Sequence, residues 1–163
     1  MAPENPLNNT IALFLVVYFA QLGVAHYRFA TGHAIQVHSA IASARIPDLV
    51  IHSEASAAAI FADGKLLRLE HPVPTLVVET VSSSDKDNAS RERDYRFKRA
   101  EYAQRGIPEY WIVDPTAQCV LILTLTGKEY SERRYTSKQK LISPSFPTAT
   151  LTAQQVLTAG IQD

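Results

Sequence analysis

One cysteine, Cys119, is all the chain has, which excludes a disulfide framework and any cysteine-based zinc site. A reducing cytoplasm is the natural compartment for such a chain. Cys119 lies in the apolar stretch CVLIL with no adjacent cation to lower its pKa, so it reads as a core filler and not a reactive thiol. An excess of charge of either sign is also missing. Sixteen Lys and Arg offset sixteen Asp and Glu, so bulk charge neither demands nor excludes a polyanionic partner, and any basic surface must be local. No apolar run reaches the roughly 20 residues of a membrane-spanning helix. The best candidate, IALFLVVYFA from Ile11 to Ala20, stops at Gln21, and MAPENPLNNT before it lacks the Lys or Arg of a signal peptide. It reads as a buried helix that Asn8, Asn9 or Thr10 can cap, with no membrane partner. Internal repeats, low-complexity tracts and interdomain linkers are absent as well. The 163 residues, 46% of them hydrophobic, therefore fit one domain, 1–163, of α/β or α+β type.

What is present is an order of elements. After the helix, GHAIQVH (Gly32 to His38) and RIPDLVIHS (Arg45 to Ser53) read as strands, and EASAAAIFADG as a short helix or loop ending in an Asp63-Gly64 turn. A strand from Pro74 to Val81 follows, then the polar loop Ser82 to Ser90. RERDYRFKRAEYAQRG reads as a helix stopped by Gly106, and EYWIVDP as a buried strand ended by Pro115. CVLILTL and EYSERRYT form a hairpin across Thr126-Gly127, and Thr152 with Gln155 makes a capping box for a last helix.

The Pro74–Val81 strand poses the chemical question. Leu76, Val77 and Val78 suit a strand buried on both faces, yet Glu79 follows, and an uncompensated carboxylate there costs several kcal/mol. If DLVI runs antiparallel to TLVVE, Asp48 comes beside Glu79, and two converging carboxylates repel unless a divalent cation sits between them. Tyr95, Lys98, Arg99 and Tyr102 share one helical stripe, which sends the Lys98 stem inward; Asp94, one turn earlier, is the plain ion-pair alternative.

PDLVI, LVVETVSSS, DYRFKRAEY and RGIPEYWIVDP closely resemble the bacterial Uma-two restriction endonuclease family, within the PD-(D/E)xK nuclease superfamily. The resemblance implies a restriction-endonuclease-like α/β fold, a mixed central β-sheet flanked by α-helices. It also implies Asp48, Glu79 and Lys98 as catalytic residues, Mg2+ at Asp48 and Glu79 with Mn2+ able to substitute, DNA as partner, and a homodimer where both strands are cut. Two features depart from the pattern. The superfamily lysine stands two residues after the glutamate, where this chain has Val81, so the lysine function is sought on the next helix at Lys98. Family members also open with a Y-E-L-x-x-G-x segment and a strand before the first helix, whereas this chain opens on MAPENPLNN. Either the gene is truncated, or the true start lies upstream, or the missing strands are dispensable; if they are absent in the cell, a sheet edge or core face is left uncovered.

The implied activity is metal-dependent hydrolysis of phosphodiester bonds, with Arg91, Arg93, Arg96, Arg99 and Arg105 available to phosphates. Interleaved Asp85, Asp87, Glu92 and Glu101 favour an ordinary solvated helix face for those arginines. A catalytically silent nucleic-acid-binding or interaction protein on the same fold is the alternative. A serine hydrolase is disfavoured because Ser82, Ser83 and Ser84 lack a G-x-S-x-G elbow. His33 and His38 fall on opposite strand faces, poor co-ligands; His26, His52 and His71 read as surface or satisfied histidines, and Trp111 as core.

Overall fold

Helix α1 (Pro6–Gln21) shows how the chain starts its elements. In the computed structural model, which describes residues 5–82 and 91–161, its cap is Asn5, whose side chain accepts from the Leu7 amide at 2.9 Å. The cap therefore lies ahead of the expected Asn8, Asn9 and Thr10. Pro6 explains the shift: at the first helical position its missing N–H costs nothing and its fixed φ suits the helix. Burial holds on one face only, through Ile11, Ala12, Leu15 and Phe19, while Leu13 and Val17 are exposed.

The centre is a six-stranded mixed sheet in the order β1 (Phe29–Ala30), β4 (Leu49–Ile51), β6 (Leu76–Thr80), β7 (Glu109–Asp114), β8 (Cys119–Thr126) and β9 (Glu129–Thr136). Strands β6 and β7 pair in parallel, which requires the crossover between them; the remaining pairs are antiparallel. The β8–β9 hairpin turns on Gly127 at φ 67°, a left-handed position that glycine adopts without strain. A second, three-stranded sheet runs β3 (Ala44–Arg45), β2 (Ala34–Gln36), β5 (Leu66–Leu67).

The expected single strand from Arg45 to Ser53 is thus two strands in two sheets. Pro47 is the reason: it cannot donate to a ladder, and the chain uses it to cross from β3 to β4. EASAAAIFADG settles as helix α2 (Glu54–Asp63), capped by Ser53 and closed by Gly64 at φ 99°. The arginine-rich segment is not one regular helix. A π-helical turn, Arg93–Phe97, runs into helix α3 (Lys98–Arg105), which Gly106 closes at φ 86°. Of the polar loop, residues 83–90 lie outside the described residues. The capping box forms as expected, opening helix α4 (Ala153–Leu157).

Strand alternation then separates two cores. Leu49, Ile51, Leu76, Val78, Trp111 and Val113 face α1 and α4. Val50, Val77, Val81, Tyr110 and Ile112 face Tyr102 and Ala103 of α3, with Ile35 and Leu67 of the small sheet. No helix among the described residues is long and apolar enough to cross a membrane.

Candidate active site

The pairing of Leu49 with Val78 in the β4–β6 ladder carries Asp48 to the position beside Glu79, and the Thr80 amide donates to Asp48 Oδ2 at 2.7 Å. Asp48 is therefore fixed by the same strand that carries Glu79. Glu79 lies on the α3 face of β6, two residues from Val77 and Val81, and is 3% exposed. Helix α3 answers it from above. Lys98 Nζ stands 2.9 Å from Glu79 Oε2, and the Tyr102 hydroxyl donates to Glu79 Oε1 at 2.7 Å. The same ammonium lies 2.8 Å from Asp94 Oδ1, in the π-helical turn. The inward Lys98 and the plain ion pair with Asp94 are thus both present, sharing one ammonium.

Burial dominates the electrostatics. It pushes the Glu79 carboxyl up to about 8; Asp48 and Asp94 push the same way, and Lys98 and Tyr102 oppose them. Asp94 is raised too, by burial first and against the pull of Lys98. For Lys98, burial works against the charge, but Glu79 and Asp94 outweigh it and hold the ammonium above its ordinary value. Three carboxyl groups around one ammonium leave a local surplus of negative charge when ionised, an arrangement suited to a cation.

The donor chemistry decides which cation fits. Among the described residues no group of three or more His, Cys, Asp or Glu is placed to hold an ion. Magnesium takes one or two carboxylates and keeps several waters, and Asp48 with Glu79 would supply that set. A small polar hollow of about 50 Å³ opens beside Asp48, lined by Asn8, Asn9, Ala12 and Thr31. Asn8 also reaches the Thr80 carbonyl at 3.5 Å, so the first turn of α1 borders the cluster from the other side of the sheet.

The arginines are largely committed elsewhere. Arg91 pairs with Asp114 at 2.7 Å, Arg99 with Glu132 at 2.6 Å and Arg96 with Glu92 at 3.1 Å. Arg105 donates to the carbonyls of Arg68 and His71. Of the expected interleaved acids, Glu92 pairs with Arg96 while Glu101 is buried against Arg45; Arg91, Arg99 and Arg105 tie to other segments. His33 and His52 meet at 3.0 Å, and His52 bonds Ser56 Oγ at 2.9 Å, which leaves His52 buried and satisfied. Cys119 and Trp111 are core. The Asp94–Lys98 pair was legible as an alternative; sequence reasoning missed the burial of Asp94 and the Tyr102 bond to Glu79, though the D-x3-K-x3-Y spacing stacks all three on one helix face.

The mixed sheet brings an acid preceding one strand against an acid on the next, with a helix lysine on the second. The fold is similar to that of a crystal structure described as "a putative nuclease belonging to DUF820 from Anabaena variabilis ATCC 29413". The TM-score is 0.63 at 11% identity, covering 99% of this chain and 85% of that one. The chain belongs to the Uma2 family, described as "Putative restriction endonuclease", whose model matches residues 1–154. Membership of that family implies a nucleic-acid substrate. No curated protein matches the sequence.

Proposed function

We propose that the chain is a metal-dependent endonuclease that hydrolyses phosphodiester bonds of DNA, a PD-(D/E)xK enzyme whose lysine comes from helix α3. The observation that supports this most is the 2.9 Å contact between Lys98 and Glu79. Val81, which stands where the superfamily lysine would be, is buried among apolar neighbours, and Lys98 brings its ammonium to the strand from the facing element.

Asp48 and Glu79 would hold Mg2+, with Mn2+ able to substitute, and the bound ion supplies polarisation of the phosphate and a lower pKa for an attacking water. The chain's own residues do the rest. The Thr80 amide fixes one Asp48 oxygen beside Glu79. Lys98 offsets charge that builds on the phosphate oxygens and orients the water. Held as an ammonium between two carboxylates, it is an electrostatic group and not the base.

A nuclease assay on plasmid and single-stranded DNA, with Mg2+ or Mn2+, tests the reading against Glu79→Ala. The expected result is metal-dependent cleavage that the substitution removes, and cleavage that survives it unchanged overturns the site. One observation favours the silent alternative: Lys98 is already satisfied by Glu79 and Asp94 without any ion. A wild-type chain that binds DNA but cuts neither substrate returns that alternative. Sedimentation with and without DNA reads the homodimer that double-strand cutting would use.

A further inference from the structure

Glu79 and Lys98 are long side chains, and neither backbone fixes where its charged end stands. A lysine reaching in from a helix has four rotatable bonds to settle, where a lysine on the same strand would have been held beside the glutamate by the pleat. Something must do that positioning. Two buried groups on the Lys98 helix are placed for it. Tyr102 is fully buried and directs its hydroxyl to Glu79 Oε1 at 2.7 Å, leaving Oε2 to Lys98. Asp94 is 2% exposed and holds the opposite side of the ammonium at 2.8 Å.

Both groups are themselves braced from β7. The Tyr102 ring packs edge-on against Tyr110, with centroids 5.0 Å apart at 82°. The Tyr110 hydroxyl in turn donates to the Asp94 backbone carbonyl at 2.9 Å, which ties down the π-helical turn. One strand residue therefore steadies both ends of the clamp. Neither Asp94 nor Tyr102 belongs to the acid pair and lysine already assigned.

Resting on the nuclease reading above, we propose that Asp94 and Tyr102 are positioning residues for its active site: Tyr102 sets the orientation of the Glu79 carboxylate and Asp94 sets the position of the Lys98 ammonium. Tyr102 acts through a single hydrogen bond to a metal-holding oxygen donor, the arrangement in which loss of a supporting partner costs about 10- to 100-fold in metal affinity or activity. Asp94 contacts Lys98 and acts on Glu79 only through its charge, so its loss is expected to reduce turnover more than metal affinity.

The test compares wild type, Tyr102→Phe, Asp94→Asn and Glu79→Ala, each first shown to melt cooperatively. Two quantities are read: Mn2+ affinity of the apoprotein by calorimetry, and kcat and KM for plasmid cleavage. Tyr102→Phe is expected to weaken Mn2+ binding and lower kcat by about 10- to 100-fold, with KM for DNA unchanged. Asp94→Asn is expected to lower kcat with Mn2+ affinity within about twofold of wild type, and Asp94→Glu to recover part of the loss. If wild type cleaves, Glu79→Ala does not, and both Tyr102→Phe and Asp94→Asn match wild type in kcat and Mn2+ affinity, the positioning proposal is overturned while the nuclease reading stands. If they lose only thermal stability, the roles are structural and the proposal is equally overturned. A wild type that neither cleaves nor binds Mn2+ overturns the nuclease reading, and the proposal with it.

Discussion

Glu79 and Glu109 are both buried carboxyl groups on neighbouring parallel strands, and the contrast between them separates a site from a brace. Glu109, 1% exposed, lies on the α1 side of β7 and accepts from Trp111 Nε1 at 2.6 Å, Ser143 Oγ at 2.6 Å and the Ser145 amide at 3.0 Å. All three donors are neutral, and they staple the segment before α4 to the sheet. Glu79 meets one neutral donor, one ammonium and two further carboxyl groups. Burial alone therefore does not mark a functional acid. Neighbouring charge of both signs does, because it creates a balance that an ion or substrate can tip.

The sharpest way to break this contrast is to exchange each acid for its amide. On the proposed function, Glu79→Gln is expected to reduce cleavage by about 10³-fold or more, since several kcal/mol of transition-state stabilisation would go with the ion. It should barely lower the melting temperature, because Lys98 keeps Asp94 as a partner. Glu109→Gln is expected to do the reverse, preserving cleavage while costing about 1–3 kcal/mol in denaturant unfolding, as a carboxylate matched to three donors becomes a mismatched amide. Equal effects of the two on cleavage would erase the distinction.

Lys98→Met removes the ammonium that contacts Glu79 and Asp94 and leaves these buried carboxyl groups without their nearest cation. The expected loss is about 3–5 kcal/mol at neutral pH, read by urea unfolding. A variant as stable as wild type would mean that the cluster is wetter than its burial implies.

His52 extends the comparison to a buried base. Burial first, then the charges of His33 and Arg28, lowers it from 6.5 to about 4. The sign follows from linkage: above 6.5 it is neutral folded or unfolded, and its contribution is whole. As pH falls from 6.5 towards 4 the unfolded chain takes up the proton first, and stability on the order of 3 kcal/mol is lost. Urea titrations at pH 7 and pH 4.5 measure this, and His52→Gln should flatten that part of the slope.

Arg96 sets the lower end. Its pair with Glu92 is solvent-exposed, so Arg96→Ala should shift stability by no more than about 0.5 kcal/mol. A larger loss would show that the helix surface is doing more than staying soluble.

Much of this was legible in the sequence where physical periodicity is strong. The buried strands around Glu79 and Trp111, the parallel crossover, the hairpin and the Thr152 cap each follow from a pattern several residues long. So does the meeting of Asp48 and Glu79, once the two strands are taken as antiparallel. What escaped has weak local signature. The strand read at Gly32 to His38 forms as β2, but β3 and β5 are two residues each, too short for alternation to register. The π-helical turn leaves no composition cue. Tyr102 read as a packing residue because a tyrosine ring satisfies the helical stripe whether or not its hydroxyl has a partner, and Asp94 as a surface ion pair because i, i+4 spacing carries no information about depth. The Glu109 brace joins residues far apart in sequence and could not be read from spacing.

Pro47 carries a last consequence. Arg45, on the small sheet, is bound to Glu101 of α3 at 2.7 Å, and Asp48 is bound to the main sheet at the Thr80 amide. Only Ile46 and Pro47 separate the two anchorages, and the Ile46 side chain is 62% exposed. That link behaves as a spacer of fixed length: Ile46 is open to change, but deleting it would force β4 to slip by one position and turn Asp48 to the opposite face. Tolerance at Ile46 is set by counting residues, while Pro47 keeps the strand break.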